Sequence, residues 1–175
     1  MSRFSSTGKK PRITRLSAAV VLGALFAVAA WVSPAAAIGL GQCWNTTYKG
    51  VSLHVCDADQ WLTTGNSWYF GNSRLTMQTD GNLVIYNQRT GRAAWSTGTH
   101  GTRANRMDFH GNGRFNPMIV RDDRTGQVYW NSSPNSTCPS DNRTVLALQS
   151  DSNFVMYCYQ NGTFGRAIWA SGTVY

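Results

Sequence analysis

The chain reads Gln-Thr-Asp-Gly-Asn-Leu-Val-Ile-Tyr from Gln78 to Tyr86, and Gln-Ser-Asp-Ser-Asn-Phe-Val-Met-Tyr from Gln149 to Tyr157. Five residues recur at alternate positions, and the residues between them change only within their class. The recurring pairs are Gln78/Gln149, Asp80/Asp151, Asn82/Asn153, Val84/Val155 and Tyr86/Tyr157. A buried framework tolerates exchanges between similar residues, whereas a polar site needs particular donors and acceptors. Two copies of one polar pattern therefore predict two copies of one binding site.

The self-similarity extends to a unit that ends in Gly-x-x-x-Trp. These endings run from Gly91, Gly126 and Gly165, and their tryptophans are 35 and 39 residues apart. Three units of this length predict a threefold array that buries one core jointly. We expect Trp95, Trp130 and Trp169 to meet at the centre of that core, where three large rings fill a threefold axis.

Each unit alternates apolar and polar residues around a tight turn, a pattern typical of antiparallel strands. The apolar residues share one parity, and the Gln, Asn, Val and Tyr of the repeated pattern share the other. The apolar set is Leu75, Met77, Leu83 and Ile85 in the first unit and Leu146, Leu148, Phe154 and Met156 in the third. One face of each sheet is therefore expected to be core and the opposite face polar.

Residues 1–37 have the composition of a secretory leader. A basic segment precedes an apolar run from Ala18 to Val32, and Ala35 to Ala37 form a small-residue cleavage site. The run is shorter than a membrane span requires, so we predict cleavage before Ile38 and no membrane insertion of the mature chain. The protein is expected to be secreted and extracellular, with a leader of bacterial type.

Charge and cysteine content restrict the partners and the chemistry of the mature chain. Five of the 16 basic residues lie in the leader, which leaves 11 basic and 8 acidic groups and no basic run. No nucleic acid partner is predicted. The mature chain has no glutamate and one lysine, which disfavours helices. Four cysteines in an exported chain favour two disulfides; of three connectivities, the sequence-local pairs Cys43–Cys56 and Cys138–Cys158 are preferred.

The repeated pattern resembles the mannose-binding signature of the bulb-type monocot lectins, the family of the snowdrop lectin. Residues 59–68 and 169–173 are similar to that family's first and last strands. The resemblance implies an all-β fold, the β-prism II, with three four-stranded antiparallel sheets and pseudo-threefold symmetry. It covers residues 58–175, with repeats at about 58–98, 99–133 and 134–175. Residues 38–57 precede it as an extension that the Cys43–Cys56 disulfide closes.

The resemblance also implies a role for each residue of the pattern. In related lectins the Asp and Asn bind the axial 2-hydroxyl of mannose, the Gln binds the 3-hydroxyl and the Tyr binds the 4-hydroxyl, while the Val contacts the apolar edge of the ring. A carboxylate beside two amides suits hydroxyls that both donate and accept. Glucose has an equatorial 2-hydroxyl and would leave the Asp and Asn poorly paired. No metal or cofactor is needed, and the partner is a mannose-containing glycan.

The middle unit departs from the pattern. Aligned without gaps, it places Asp108, His110 and Asn112 where the first unit has Gln78, Asp80 and Asn82. Only the asparagine is retained, so this degenerate site is predicted not to bind mannose.

The same residues bear on other possible functions and on the assembly of the chain. The three histidines accompany no catalytic motif, and the lack of glutamate argues against glycoside hydrolysis, so no enzyme is predicted. A lectin-like bacteriocin or a cell-envelope polysaccharide-binding protein of the same fold stays open. The last strand, Ile168 to Tyr175, resembles the strand that related lectins exchange between subunits, which predicts a homodimer.

Overall fold

The computed structural model describes residues 42–57, 59–111, 118–134, 136–139 and 142–173, and this part of the chain is all-β. Its strands are β1 (Cys43–Tyr48), β2 (Val51–Cys56), β3 (Gln60–Thr63), β4 (Ser67–Phe70), β5 (Ser73–Met77), β6 (Leu83–Asn87), β7 (Ala93–Ser96), β8 (Arg106–Phe109), β9 (Met118–Arg121), β10 (Val128–Asn131), β11 (Arg143–Gln149), β12 (Phe154–Gln160) and β13 (Thr163–Ala170). No helix in these ranges has the length and apolarity of a membrane span. The predicted leader lies outside the described residues.

The strands form three antiparallel sheets, each named here for the repeat that supplies most of its strands; β3 lies within residues 58–98 but joins the middle-repeat sheet. The first-repeat sheet has the order β4-β5-β6-β7, and the middle-repeat sheet has the order β10-β9-β8-β3. The third-repeat sheet has the order β1-β2-β11-β12-β13. The all-β prediction is confirmed, but the third sheet has five strands rather than four.

The core lies between the inner faces of the three sheets. The eight apolar residues that share one parity in the first and third repeats are all no more than 1% exposed. The middle repeat contributes Met107, Phe109, Met118 and Val120, which are fully buried. Burial of this apolar surface is the main stabilising contribution to the fold.

Three tryptophans pack together on the approximate threefold axis. The ring centroids of Trp95, Trp130 and Trp169 are 5.5, 5.6 and 5.8 Å apart, and each pair is inclined by 75–78°. Each tryptophan lies opposite an equivalent core residue of its own sheet: Ile85, Val120 and Met156. Edge-to-face contact is the preferred geometry for such rings because the positive edge of one meets the negative face of the next.

The N-terminal hairpin is an integral part of the third-repeat sheet. Strand β2 pairs with β11, with Leu53 opposite Gln149 and Val55 opposite Ala147. It therefore occupies the position that β3 and β4 take in the other two sheets. The expected boundary at residue 58 does not separate two units, because the third sheet would lack its fourth strand without residues 51–56.

The same hairpin covers the outer face of the third-repeat sheet. Leu53, Val55, Val145 and Ala147 are fully buried there, and a shell of larger side chains packs against them. That shell consists of Trp44, Tyr48, Val51, Tyr157, Tyr159 and Phe164. Strand β11 is thus apolar on both faces, whereas its counterpart β5 carries Arg74 and Thr76 outward.

Both disulfides join the sequence-local cysteines. Cys43–Cys56 links β1 to β2, and Cys138–Cys158 ties the segment before β11 to β12. The first bond connects residues that lie directly opposite each other in the hairpin. It therefore holds the ends of the two strands that complete the third-repeat sheet.

Candidate functional site

A tight turn carries the acidic residue of each repeated pattern. In the first repeat the Gln78 amide donates to the Asn82 carbonyl at 2.8 Å, and in the third Gln149 donates to Asn153 at 2.9 Å. Within each turn one carboxylate oxygen, from Asp80 or Asp151, accepts a hydrogen bond at 3.0 Å from the amide two residues later. This side-chain bond is a common way to fix an Asp in a turn. The two aspartates are consequently held in the same orientation.

The residue after each aspartate has a left-handed backbone. Gly81 has a φ of +90°, and a Cβ atom there would lie 2.8 Å from the Thr102 hydroxyl and 2.9 Å from its carbonyl oxygen. The equivalent Ser152 keeps a φ of +70°, and its hydroxyl accepts a hydrogen bond from Ser73 at 3.0 Å. The turn is therefore the same in both repeats, although only the first requires glycine for space.

A Gln–Tyr pair forms the second element of each site. The Nε2 atom of Gln78 donates to the Tyr86 hydroxyl at 2.7 Å, and Gln149 donates to Tyr157 at 2.8 Å. Each phenol oxygen accepts this bond, so its own proton is left to donate to a ligand. The pair brings an amide and a phenol together across neighbouring strands.

Hydroxyl residues that the sequence interpretation did not single out orient the two asparagines. The Asn82 side-chain oxygen accepts from the Thr97 hydroxyl and the Thr99 amide, both at 3.1 Å. The Asn153 oxygen accepts from the Ser171 hydroxyl at 3.1 Å and the Gly172 amide at 3.2 Å. The signal was present in the sequence, since Thr-Gly-Thr at 97–99 and Ser-Gly-Thr at 171–173 both follow a core tryptophan.

Several polar groups of each site keep their capacity for a ligand. Among the described residues, the second oxygen of the aspartate, the asparagine Nδ2 and the glutamine Oε1 have no hydrogen-bond partner in either copy. The valines of the pattern, Val84 and Val155, are only 3% and 2% exposed. Each site therefore offers acceptors and donors side by side, which is the set that a ligand with several neighbouring hydroxyls can satisfy.

Comparisons with solved structures identify relatives with this architecture. A lectin among the monomeric monocot mannose-binding lectins of Gastrodia elata is 31% identical over 69% of this chain and 98% of its own, with a TM-score of 0.54. The chain belongs to the monocot mannose-binding lectin family. A lectin from Marasmius oreades shares the fold, with 19% identity over 68% of this chain and 90% of its own and a TM-score of 0.52. No protein-family model and no curated protein sequence matches the chain.

Membership of this family settles two points. The fold is the β-prism II that the family resemblance implies, with the additional strand β1 described above. The protein is a carbohydrate-binding lectin and not an enzyme.

The two candidate sites differ in what covers the Gln–Tyr pair. Gln149 is 5% exposed and Tyr157 packs against Tyr48 of the hairpin, with ring centroids 5.6 Å apart. The Tyr48 ring also packs against the Phe164 ring, with centroids 5.0 Å apart, and the Tyr48 hydroxyl donates to the Phe164 carbonyl oxygen at 3.4 Å. Burial raises the pKa of Tyr157, and the hydrogen bond from Gln149 opposes that rise. The Gln–Tyr pair of the third repeat is therefore the more enclosed of the two pairs, since Gln78 in the first repeat is only partly buried.

The strand register of the middle repeat corrects the ungapped alignment by two residues. Met107 lies opposite Val120, as Leu75 lies opposite Ile85. Asp108 therefore takes the position of Thr76 rather than that of Gln78, and His110 takes the position of Gln78. The alignment failed because the connection between β8 and β9 is three residues longer than that between β5 and β6. Asn112 lies outside the described residues.

The outer face of the middle repeat carries charged residues in place of the pattern. Arg121 occupies the position of Tyr86, and Asp108 is 2% exposed and accepts from the Nε atoms of Arg106 and Arg121, both at 2.5 Å. Asp123 accepts from the same arginines at 3.4 and 2.9 Å. Two carboxylates and two guanidinium groups thus neutralise each other, and neither the Gln nor the Tyr of the pattern is present.

One group in the described part of the chain has the composition of a metal site. The ligand atoms of Cys43, His54 and Cys56 lie within 4.8 Å of one another. The two cysteines are joined in a disulfide, so they offer no thiolate, and metal binding by thiol ligands requires the thiolate form.

Proposed function

We propose that this lectin is secreted and binds mannose or mannose-containing glycans at two sites, without a metal. The observation that carries the proposal is the duplicated hydrogen-bond network. In both repeats an aspartate, an asparagine and a Gln–Tyr pair are fixed by the same bonds and keep the same groups for a ligand. The leader sequence and the two disulfides favour secretion.

The geometry of the aspartate and asparagine supports a preference for mannose over glucose. The two side chains lie close in sequence at one turn, so one axial hydroxyl can donate to the carboxylate and accept from the amide. An equatorial hydroxyl at the same carbon points elsewhere, so the bound sugar covers the carboxylate without making that bond. Such an unmade bond costs on the order of 1–3 kcal/mol.

Titration of the mature chain with methyl mannoside and methyl glucoside tests this function. We expect two equivalents of mannoside to bind and the glucoside to bind at least about tenfold more weakly, as one lost hydrogen bond predicts. Isothermal calorimetry measures the stoichiometry, and addition of a chelator should not change it. Equal affinity for the two sugars would contradict mannose specificity. If neither sugar binds, a glycan array that includes envelope polysaccharides tests the alternative function.

The hairpin contact predicts that Tyr48 supports the third-repeat site alone. In an Asp80→Ala protein, which keeps the third-repeat site, Tyr48→Ala should weaken mannoside binding by about fivefold, because an aromatic pair contributes about 1 kcal/mol. The same substitution in an Asp151→Ala protein, which keeps the first-repeat site, should leave the affinity unchanged. Calorimetry on the two pairs of proteins makes the comparison, and an equal loss at both sites would show that Tyr48 acts on general stability.

A homodimer formed by exchange of the last strand remains a prediction. Within this chain β13 pairs with its own β12, and the ladder bonds would be identical if β13 came from a second copy. Exchange would place four sites on one particle and favour binding to branched glycans. Light scattering at micromolar concentration should give twice the chain mass. A monomer mass would exclude the dimer and make this protein like the Gastrodia elata lectins, which are described as monomeric.

A further inference from the structure

A small cavity adjoins the first-repeat site on the outer face of its sheet. It has a volume of about 160 Å³ and is lined by Arg74, Tyr86, Asn87, Gln88 and Gly91. Tyr86 also accepts the hydrogen bond from Gln78, so the cavity and the sugar site share this side chain. Asn87, Gln88 and Gly91 follow Tyr86 in the chain, so the cavity lies at the C-terminal end of β6. Asp80 and Asn82 precede the N-terminal end of the same strand.

Arg74 brings an uncompensated positive charge to this cavity. It lies opposite Tyr86 in the strand register, and its guanidinium carbon is 4.7 Å from the centre of the Tyr86 ring. In the described ranges no carboxylate lies within 4.0 Å of Arg74, and its buried Nε atom has no hydrogen-bond acceptor. Arg89 and Arg92 are exposed on the following turn and add to the positive potential. A partly buried cation without a counter-ion is costly unless a ligand compensates it.

The middle repeat shows which group belongs beside this arginine. By strand register Arg106 corresponds to Arg74, Asp108 to Thr76 and Asp123 to Gln88. Both aspartates bind Arg106 there. In the first repeat both positions hold neutral residues, and Gln88 lines the open cavity. The space next to Arg74 is thus where a carboxylate of the chain lies in the neighbouring repeat.

The third repeat has no counterpart of this arrangement. Val145 stands at the position of Arg74 and is fully buried beneath the hairpin. The two sugar sites therefore share their hydrogen-bond network but differ in what surrounds the tyrosine.

We propose that the cavity at Arg74 is an anion subsite of the first-repeat site. It takes a phosphate or carboxylate group carried by a glycan whose mannose occupies Asp80, Asn82 and the Gln78–Tyr86 pair. Arg74 supplies charge-assisted hydrogen bonds from its terminal nitrogens. Gln88 forms a neutral wall, because its Nε2 atom already donates to the carbonyl oxygens of Gly71 and Ser73. The identity of the mannose rests on the proposed function, whereas the preference for a negative charge rests on Arg74. The lectin consequently has one site for anionic glycans and one for neutral glycans.

Size-matched mannan oligosaccharides test the subsite, in neutral, phosphorylated and C6-oxidised, carboxylated forms. In the Asp151→Ala protein, which keeps the first-repeat site, at least one anionic form should bind about tenfold more tightly than the neutral form at low salt. The advantage should shrink as sodium chloride is raised. Which of the two forms gains more identifies the anion. In the Asp80→Ala protein the ratio of affinities should be close to one.

Arg74→Val, which installs the residue of the third repeat, should bring the affinity ratio of the Asp151→Ala protein to about one. Arg92→Val is the matched control: it removes one positive charge from the exposed connection between β6 and β7, and Arg92 does not line the cavity, so this variant should retain most of the ratio. A thermal unfolding midpoint for each variant verifies that the sheet is intact. A ratio of one before substitution, or a ratio that survives Arg74→Val, overturns the subsite. If the neutral oligosaccharide does not bind but an anionic form does, and if Arg74→Val abolishes that binding, the mannose assignment is wrong and the anion subsite is supported.

Discussion

The double variant Asp80→Ala/Asp151→Ala is expected to bind no measurable mannoside, while each single variant binds one equivalent instead of two. One oxygen of each carboxylate holds its turn at 3.0 Å, and the other oxygen has no partner among the described residues. Removal of the carboxylate loses a charge-assisted bond to the sugar, worth about 1.5–3 kcal/mol, and the bond that fixes the turn. Free monosaccharides bind such shallow sites weakly, so a loss of this size abolishes detectable binding.

Calorimetry with methyl mannoside measures both the stoichiometry and the remaining affinity. Thr79→Ala is a matched control, because Thr79 is exposed in the same turn and lies outside the repeated pattern. It should bind two equivalents like the parent. Full binding by the double variant would contradict the assignment of both sites. A change of stoichiometry in Thr79→Ala would show that disruption of the turn, and not removal of the carboxylate, explains the loss of binding in Asp80→Ala.

The fold could be predicted largely from the sequence because its strongest signals are local. Residues such as Leu75 and Met77 alternate with polar neighbours, and a period of two residues decides which face of a strand is buried. The repeated polar pattern reveals its own register, since Gln78 and Tyr86 must lie on the same face to bond across one turn. These features need no knowledge of distant contacts.

The parts that could not be predicted depend on pairing between distant segments. Nothing within Val51–Cys56 shows that it pairs with β11, although the apolar residues on both faces of β11, such as Val145 and Ala147, indicate that something covers it. The middle repeat was misaligned because a loop of different length shifts the register, and sequence identity around Asp108 is too low to reveal the shift. The asparagine contacts of Thr97 and Ser171 likewise come from the ends of later strands.

The tryptophan cluster should be the most sensitive point of the fold. Trp169→Ala is expected to lower the free energy of unfolding by about 3 kcal/mol, because it removes a large ring and leaves a cavity between the sheets. Trp169 contacts both other tryptophans and also Phe154, at a centroid distance of 6.1 Å. All three repeats therefore lose a contact from one substitution. Trp169→Phe keeps an aromatic ring and should lower the free energy of unfolding by clearly less than Trp169→Ala.

Denaturant unfolding of the purified lectin measures this loss. Tyr69→Ala serves as the control, since Tyr69 is 61% exposed in the first-repeat sheet and should change the free energy of unfolding by no more than about 0.5 kcal/mol. Trp169 stands two residues before Ser171, whose hydroxyl donates to Asn153, so Trp169→Ala should also weaken the third-repeat site more than the first. If Trp169→Ala lowers the free energy of unfolding by no more than Tyr69→Ala does, the tryptophan cluster does not stabilise the packing of the three sheets.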